Sequence, residues 1–141
     1  MLLDIEKALP QIKALCMEAC DCATACLEKC EYATDPLVAF KDVDYAVLCA
    51  SAPTPPDMKD RKVLLEKNKL IFESQGRAMQ AVGKASCRVV VVGNPMNTNA
   101  AIFLKSAPKL QASHVTALTR LDHNRLLGQV ASRLGVSVKT V

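Results

Sequence analysis

Two short stretches hold residue types whose spacing could do chemistry: GNPMNTN at Gly93–Asn99 and LTRLDHNR at Leu118–Arg125. Asp122 and Arg125 stand three apart in what reads as the first turns of a helix, so both can project from one face. A buried carboxylate there could orient and charge-stabilise a histidine. A guanidinium beside it could grip a carboxylate ligand through two parallel hydrogen bonds. A bare D-x-x-R is more often a surface ion pair of little worth, and GNP by itself is only a turn after a strand. His123 adjoins Asp122, but neighbouring helical residues diverge by about 100° and do not face each other. His114 is a lone histidine ahead of a strand, expected to be solvated or hydrogen-bonded.

The cysteines are a third candidate. Cys16, Cys20, Cys22, Cys26 and Cys30 place the pairs 16/20, 22/26 and 26/30 four residues apart, so one helix could present two thiolates to a soft metal. The zinc pattern of two C-x-x-C knuckles on turns is absent, and small buried thiols on a helix face are the plainer reading. No metal ligand is assigned.

Positioning these residues requires alternating strands and helices. Leu2–Ile5 is a short strand ending in an acid, and Pro10 to about Cys30 reads as a helix with Ile12, Leu15, Cys16 and Ala19 at three- and four-residue spacing. Glu31–Ala33 is a brief strand, and Asp35-Pro36 starts a short helix through Phe40. Tyr45–Ala50 is a continuous apolar run, expected to be buried on both faces of a parallel sheet. The proline-broken Ser51–Asp57 follows as a loop. A long helix from Arg61 to about Lys84 offers Leu64, Leu65, Ile71, Phe72 and Met79 to a core. Arg88–Val92 is the strongest strand and leads straight into GNP. Asn97–Lys105 is helical, His114–Thr119 a weaker strand, and Leu121–Leu134 the last helix, with Gly135 as its stop. This alternation predicts an α/β parallel sheet with flanking helices.

Composition narrows the function classes. The chain has 141 residues, 50% hydrophobic and 23% charged, enough for one globular domain. Its net charge of +4 is dispersed and aromatics are scarce, so no nucleic-acid footprint stands out. No apolar run reaches membrane-span length, and MLLDIEKALP lacks the basic start of a signal peptide. Seven cysteines without secretory features fit a reducing, cytoplasmic setting.

VVVVGNPMNTN followed by LTRLDHNR resembles the cytosolic-type malate dehydrogenases of the lactate/malate dehydrogenase family, and the likeness runs along nearly the whole chain. It implies a Rossmann-like fold, NAD as cofactor, a 2-hydroxy acid or 2-oxo acid as substrate, and a homodimer for the full-length enzyme. It also implies that residues 1–141 are a partial NAD-binding domain running into the start of the catalytic domain. On that reading the first strand and its G-x-G-x-x-G turn belong before residue 1, and the catalytic histidine beyond Val141. The absent strand would lie between Leu2–Ile5 and Tyr45–Ala50 and leave two inner edges unpaired.

Site roles follow from the resemblance alone. Asp4 matches the acid that takes the adenosine ribose hydroxyls. Asn94 matches the asparagine that hydrogen-bonds the substrate's 2-oxygen beside the cofactor, and Val92 would lie along the nicotinamide. Asp122 matches the acid that holds the catalytic histidine, and Arg125 the arginine that binds the substrate carboxylate. Arg61 matches the loop arginine that polarises the carbonyl. Ala50 replaces a glycine close to the cofactor. A second departure affects specificity: where the family carries adjacent loop arginines, this chain reads Ala52-Pro53-Thr54-Pro55-Pro56. No arginine remains there for the second carboxylate of malate, so monocarboxylic 2-oxo acids, aromatic ones included, are expected. The alternatives are a catalytically inactive α/β fragment and a thiol-rich metal or redox module on Cys16–Cys30.

Overall fold

In the computed structural model, residues 1–53 and 61–141 are described, the side chain of Arg61 excepted. The expected loop at 54–57 and the role of the Arg61 side chain therefore lie outside the described residues. Among the described residues, strands and α-helices follow in alternation: β1 (Leu2–Leu3), α1 (Leu9–Asp21), β2 (Tyr32–Ala33), α2 (Pro36–Ala39), β3 (Tyr45–Leu48), α3 (Arg61–Val82), β4 (Arg88–Val91), α4 (Met96–Ser106), β5 (Val115–Ala117) and α5 (Arg120–Leu134). β1 and β2 form one parallel pair. β3, β4 and β5 form a second parallel sheet in that order, Tyr45 opposite Arg88 and Val89 opposite Val115. Both sheets are parallel with flanking helices, the α/β arrangement that the alternation predicts and the Rossmann-like fold that the resemblance implies.

The core lies where α3 and α4 cover one face of the larger sheet. Phe72, Met79 and Phe103 are fully enclosed there against Leu48, Val89 and Val91. The two helices approach closely because α3 carries Gly76 at the crossing. A Cβ on Gly76 would meet the Phe103 carbonyl oxygen at 2.7 Å and Ser106 Cβ at 2.6 Å. Of the expected core residues on α3, Phe72 and Met79 are enclosed, while Leu64, Leu65 and Ile71 are half-buried.

Three expectations need correction. The first helix stops at Asp21 instead of continuing to Cys30. Only Ile12 and Cys16 of α1 are buried, and Ala23 adopts φ 47°, a left-handed turn that a helix cannot continue through. Tyr45–Ala50 is not buried on both faces. Ala46 and Leu48 face the core, but Tyr45 is 79% and Val47 64% exposed, because no element covers the opposite face of β3 among the described residues. His114 is half-buried, and its Nδ1 is enclosed without a hydrogen-bond partner among the described residues.

A candidate cofactor and substrate edge

Ligands of open parallel sheets gather at the carboxyl ends of the strands. Asp4 directly follows β1 and is exposed, one carboxylate oxygen accepting the Ile5 N–H at 2.8 Å. The second oxygen has no partner among the described residues and is free to accept a hydroxyl. Ala50, half-buried, follows β3 on the same edge.

The turn after β4 is tied down from two sides. Val92 and Gly93 both donate their N–H to the Leu48 carbonyl, at 2.9 and 3.1 Å, so this strand end stays stitched to β3. Gly93 admits no side chain, since a Cβ there would collide with the Ala50 carbonyl oxygen. Asn68, fully buried on α3, supplies the second tie. Its Oδ1 accepts the Ala52 N–H at 2.7 Å, and its Nδ2 donates to the Asn94 carbonyl at 3.0 Å. Asn99, equally buried at the start of α4, donates from Nδ2 to the Gly93 carbonyl at 2.9 Å. The Asn94 backbone is thus fixed while its side chain is exposed. Asparagine in a helical pattern does not announce which way it faces, and sequence reasoning passed over both Asn68 and Asn99.

Asp122 and Arg125 occupy the first turns of α5, which starts at the carboxyl end of β5. Leu118 N–H donates to the Val91 carbonyl at 3.0 Å, holding this junction beside β4. Their side chains are 62% and 70% exposed and 3.6 Å apart. The carboxylate is therefore not buried, and the pair is too long for a good hydrogen bond. A cleft of about 440 Å³ opens along β5, lined by Val90, Thr116, Leu118, Thr119, Arg120 and His123 among others. Neither Asn94 nor the Asp122–Arg125 pair lines it. The structure places these three residues on one edge of the fold but does not bring them into a single pocket.

The thiols do not form the helical array that their spacing allowed. Cys22, Cys26 and Cys30 lie beyond the end of α1, and among the described residues no group of three or more His, Cys, Asp or Glu side chains could hold a metal. Cys16 is buried, and a hydrogen bond with Cys30, followed by burial, pushes its thiol up to about 11. That protonated thiol is a poor metal ligand and a poor nucleophile.

Residues 1–116 match the lactate/malate dehydrogenase NAD-binding domain. The chain belongs to this family. A malate dehydrogenase from Naegleria fowleri is 36% identical and superposes with a TM-score of 0.90. A Trichomonas vaginalis lactate dehydrogenase, solved with NADH and oxamate, is 43% identical with a TM-score of 0.89. Each alignment covers 98% of this chain but only 42% and 41% of the relative, so the chain spans about two fifths of their length. A malate dehydrogenase from Plasmodium falciparum, at 23% identity and a TM-score of 0.76, shares the fold.

NAD is the cofactor of this domain, and the edge fits part of it. Asp4 suits a ribose diol, and the anchored turn after β4 suits the nicotinamide end. None of the five glycines, at 76, 83, 93, 128 and 135, forms a G-x-G-x-x-G turn for the pyrophosphate.

Proposed function

We propose that residues 1–141 are the cofactor-carrying part of an NAD-dependent 2-hydroxy acid dehydrogenase, with the residues after 116 opening its catalytic domain. The observation that carries this reading is the locked turn at Asn94. A buried amide on α3 holds the backbone that follows β3 and the backbone that follows β4 in one geometry, while the Asn94 side chain stays free to bind a ligand. NAD, when bound, supplies the hydride acceptor for oxidation of the hydroxy acid.

The remaining steps belong to the chain's own residues. Asp4 accepts the ribose hydroxyls through its free oxygen. Asn94 donates its amide to the 2-oxygen of the substrate. Arg125 binds the substrate carboxylate. Its long contact with Asp122 leaves its donors available, and an exposed pair of this kind gives way at little cost. Asp122 is then free to hold the histidine that moves the proton, and Arg61 polarises the carbonyl.

The substrate is a monocarboxylic 2-oxo acid, aromatic ones included, in preference to oxaloacetate. The loop sequence at Ala52–Pro56 supports this, because it carries no arginine for a second carboxylate. The Trichomonas relative, solved with oxamate, a ligand with a single carboxylate, supports it too. The malate preference of the cytosolic-type enzymes is then not retained, and a cytoplasmic homodimer is the expected setting for the full-length enzyme. The test is a chimera in which residues 1–141 replace the matching stretch of the Trichomonas enzyme. NADH oxidation should be at least about tenfold more efficient with pyruvate or phenylpyruvate than with oxaloacetate. A preference for oxaloacetate would overturn the specificity.

A further inference from the structure

Five of the seven cysteines crowd into the stretch from Cys16 to Cys30, and the fold sorts them. Cys16 is enclosed within α1, Cys20, Cys22 and Cys26 face solvent, and Cys30 is half-buried. α1 ends at Asp21, and the left-handed Ala23 breaks its direction. The chain returns far enough to set the Cys30 thiol in hydrogen-bond contact with that of Cys16. The backbone bonds on the way stay inside the turn, the Ala23 and Leu27 N–H groups donating to Cys20 and Thr24 at 3.0 and 2.9 Å. Cys30 directly precedes Glu31, whose carbonyl accepts the Leu2 N–H at 2.7 Å, and Ala33 accepts from Asp4 at 3.3 Å. The thiol contact therefore joins α1 to the β1–β2 pair that leads into Asp4.

Of the pairs open to Cys16, this one suits a covalent bond. Cys20 stands one turn further along α1, where residues four apart keep their Cβ atoms about 5–6 Å from each other. A disulfide holds its Cβ atoms about 3.8 Å apart, so a regular helix does not bring Cys16 and Cys20 together. Cys16 and Cys30 lie on different segments, and their sulfurs already touch. Closing that contact to a bond of about 2.05 Å asks for a small shift, which rotation about the two Cα–Cβ bonds and adjustment of the exposed turn can supply.

We infer that Cys16 and Cys30 form a reversible redox site, which a peroxide closes into an intramolecular disulfide that clamps the cysteine-rich turn to α1. The more exposed Cys30 meets the oxidant first. Its sulfur attacks one peroxide oxygen, the O–O bond breaks, and a sulfenic acid and one water result. The Cys16 sulfur then attacks the Cys30 sulfur and the S–O bond breaks. The departing hydroxide takes the Cys16 proton and leaves as a second water. Two thiols are oxidised and one peroxide is reduced. In the reduced pair the contact with Cys30 helps to keep Cys16 protonated and so protects it. Oxidation of Cys30 removes that thiol partner, which readies Cys16 for the second step. A dithiol reductant restores both thiols by exchange and becomes a disulfide itself.

The test treats the reduced 141-residue chain with hydrogen peroxide, blocks the remaining thiols with iodoacetamide and locates the disulfides by peptide mass. Cys16–Cys30 should exceed every other pairing by at least about tenfold, and dithiothreitol should reverse it. The same oxidation in guanidinium chloride should instead favour pairs with fewer residues between them, because short loops close most readily. Cys20→Ser should keep the Cys16–Cys30 bond. Cys30→Ser should leave Cys16 reduced. On oxidation of the wild type, amide exchange at Leu2 and Asp4 should slow by at least about fivefold, since the clamp holds β2 against them. The site is overturned if Cys30 pairs chiefly with Cys20, Cys22 or Cys26, or if the pairings with and without denaturant are the same. Oxidation of Cys16 in the Cys30→Ser variant would overturn the order of steps. Unchanged exchange at Leu2 and Asp4 in the cross-linked chain would overturn the clamp.

Discussion

At the scale of single residues, a buried amide costs stability for each donor or acceptor left unused, and Asn68 uses both across two turns of the edge. Asn68→Ala strands the Ala52 N–H and the Asn94 carbonyl. It should lower stability by about 1–3 kcal/mol, read as a lower urea midpoint at unchanged slope. An unchanged midpoint would show that the turns hold themselves. Cys16 gives a pH-dependent prediction. The fold favours the neutral thiol, whose value rises from 9.0 to about 11. That contribution is present below pH 9.0 and lost as pH rises through about 11. Unfolding midpoints of the wild type and Cys16→Ala should therefore converge across that window, and parallel curves would contradict the Cys16–Cys30 contact. Asp4, Asn94, Asp122 and Arg125 were singled out because the resemblance assigns a role to each of their positions. Asn68 was not, because its role arises from two contacts distant in sequence.

Elements differ in how much of them the sequence reveals. The order of strands and helices was readable throughout, since a period near 3.6 and short apolar runs persist whatever packs against them. The end of α1 was not, because cysteine and alanine continue past Asp21 and keep an apolar look where nothing covers them. The exposure of Tyr45 and Val47 was equally hidden, since an apolar run does not report whether a covering layer is present. Helix contacts yield a paired prediction. Gly76→Ala drives a methyl into Phe103 and Ser106 at the α3–α4 crossing and should cost about 1–3 kcal/mol. Gly128→Ala on α5, with nothing within 4 Å of its added Cβ, should gain about 0.5–1 kcal/mol. Thermal melts of both variants check the pair, and equal shifts would contradict the packing described.

The whole molecule is a parallel α/β edge that gathers Asp4, Ala50, Val92 and Asn94 along its strand ends and sets α5 beside them. The same scale explains what the edge lacks. Asp122 and Arg125 lie open at the start of a helix whose apolar Leu121, Leu126 and Leu134 are largely exposed, so α5 has few contacts to fix it against the Asn94 turn. The relatives are more than twice as long, and in them the matching stretch is one part of a larger enzyme. The central claim is that this edge holds a 2-oxo acid through Arg125 beside NAD. The most direct measurement is kcat/KM for phenylpyruvate, with the Kd of NADH, in the chimera carrying Arg125→Gln. Losing a bidentate charged pair should cut kcat/KM about a thousandfold and leave the NADH Kd within about twofold. A variant that keeps its kcat/KM would contradict the account, and Arg125 would then be no more than the surface partner of Asp122.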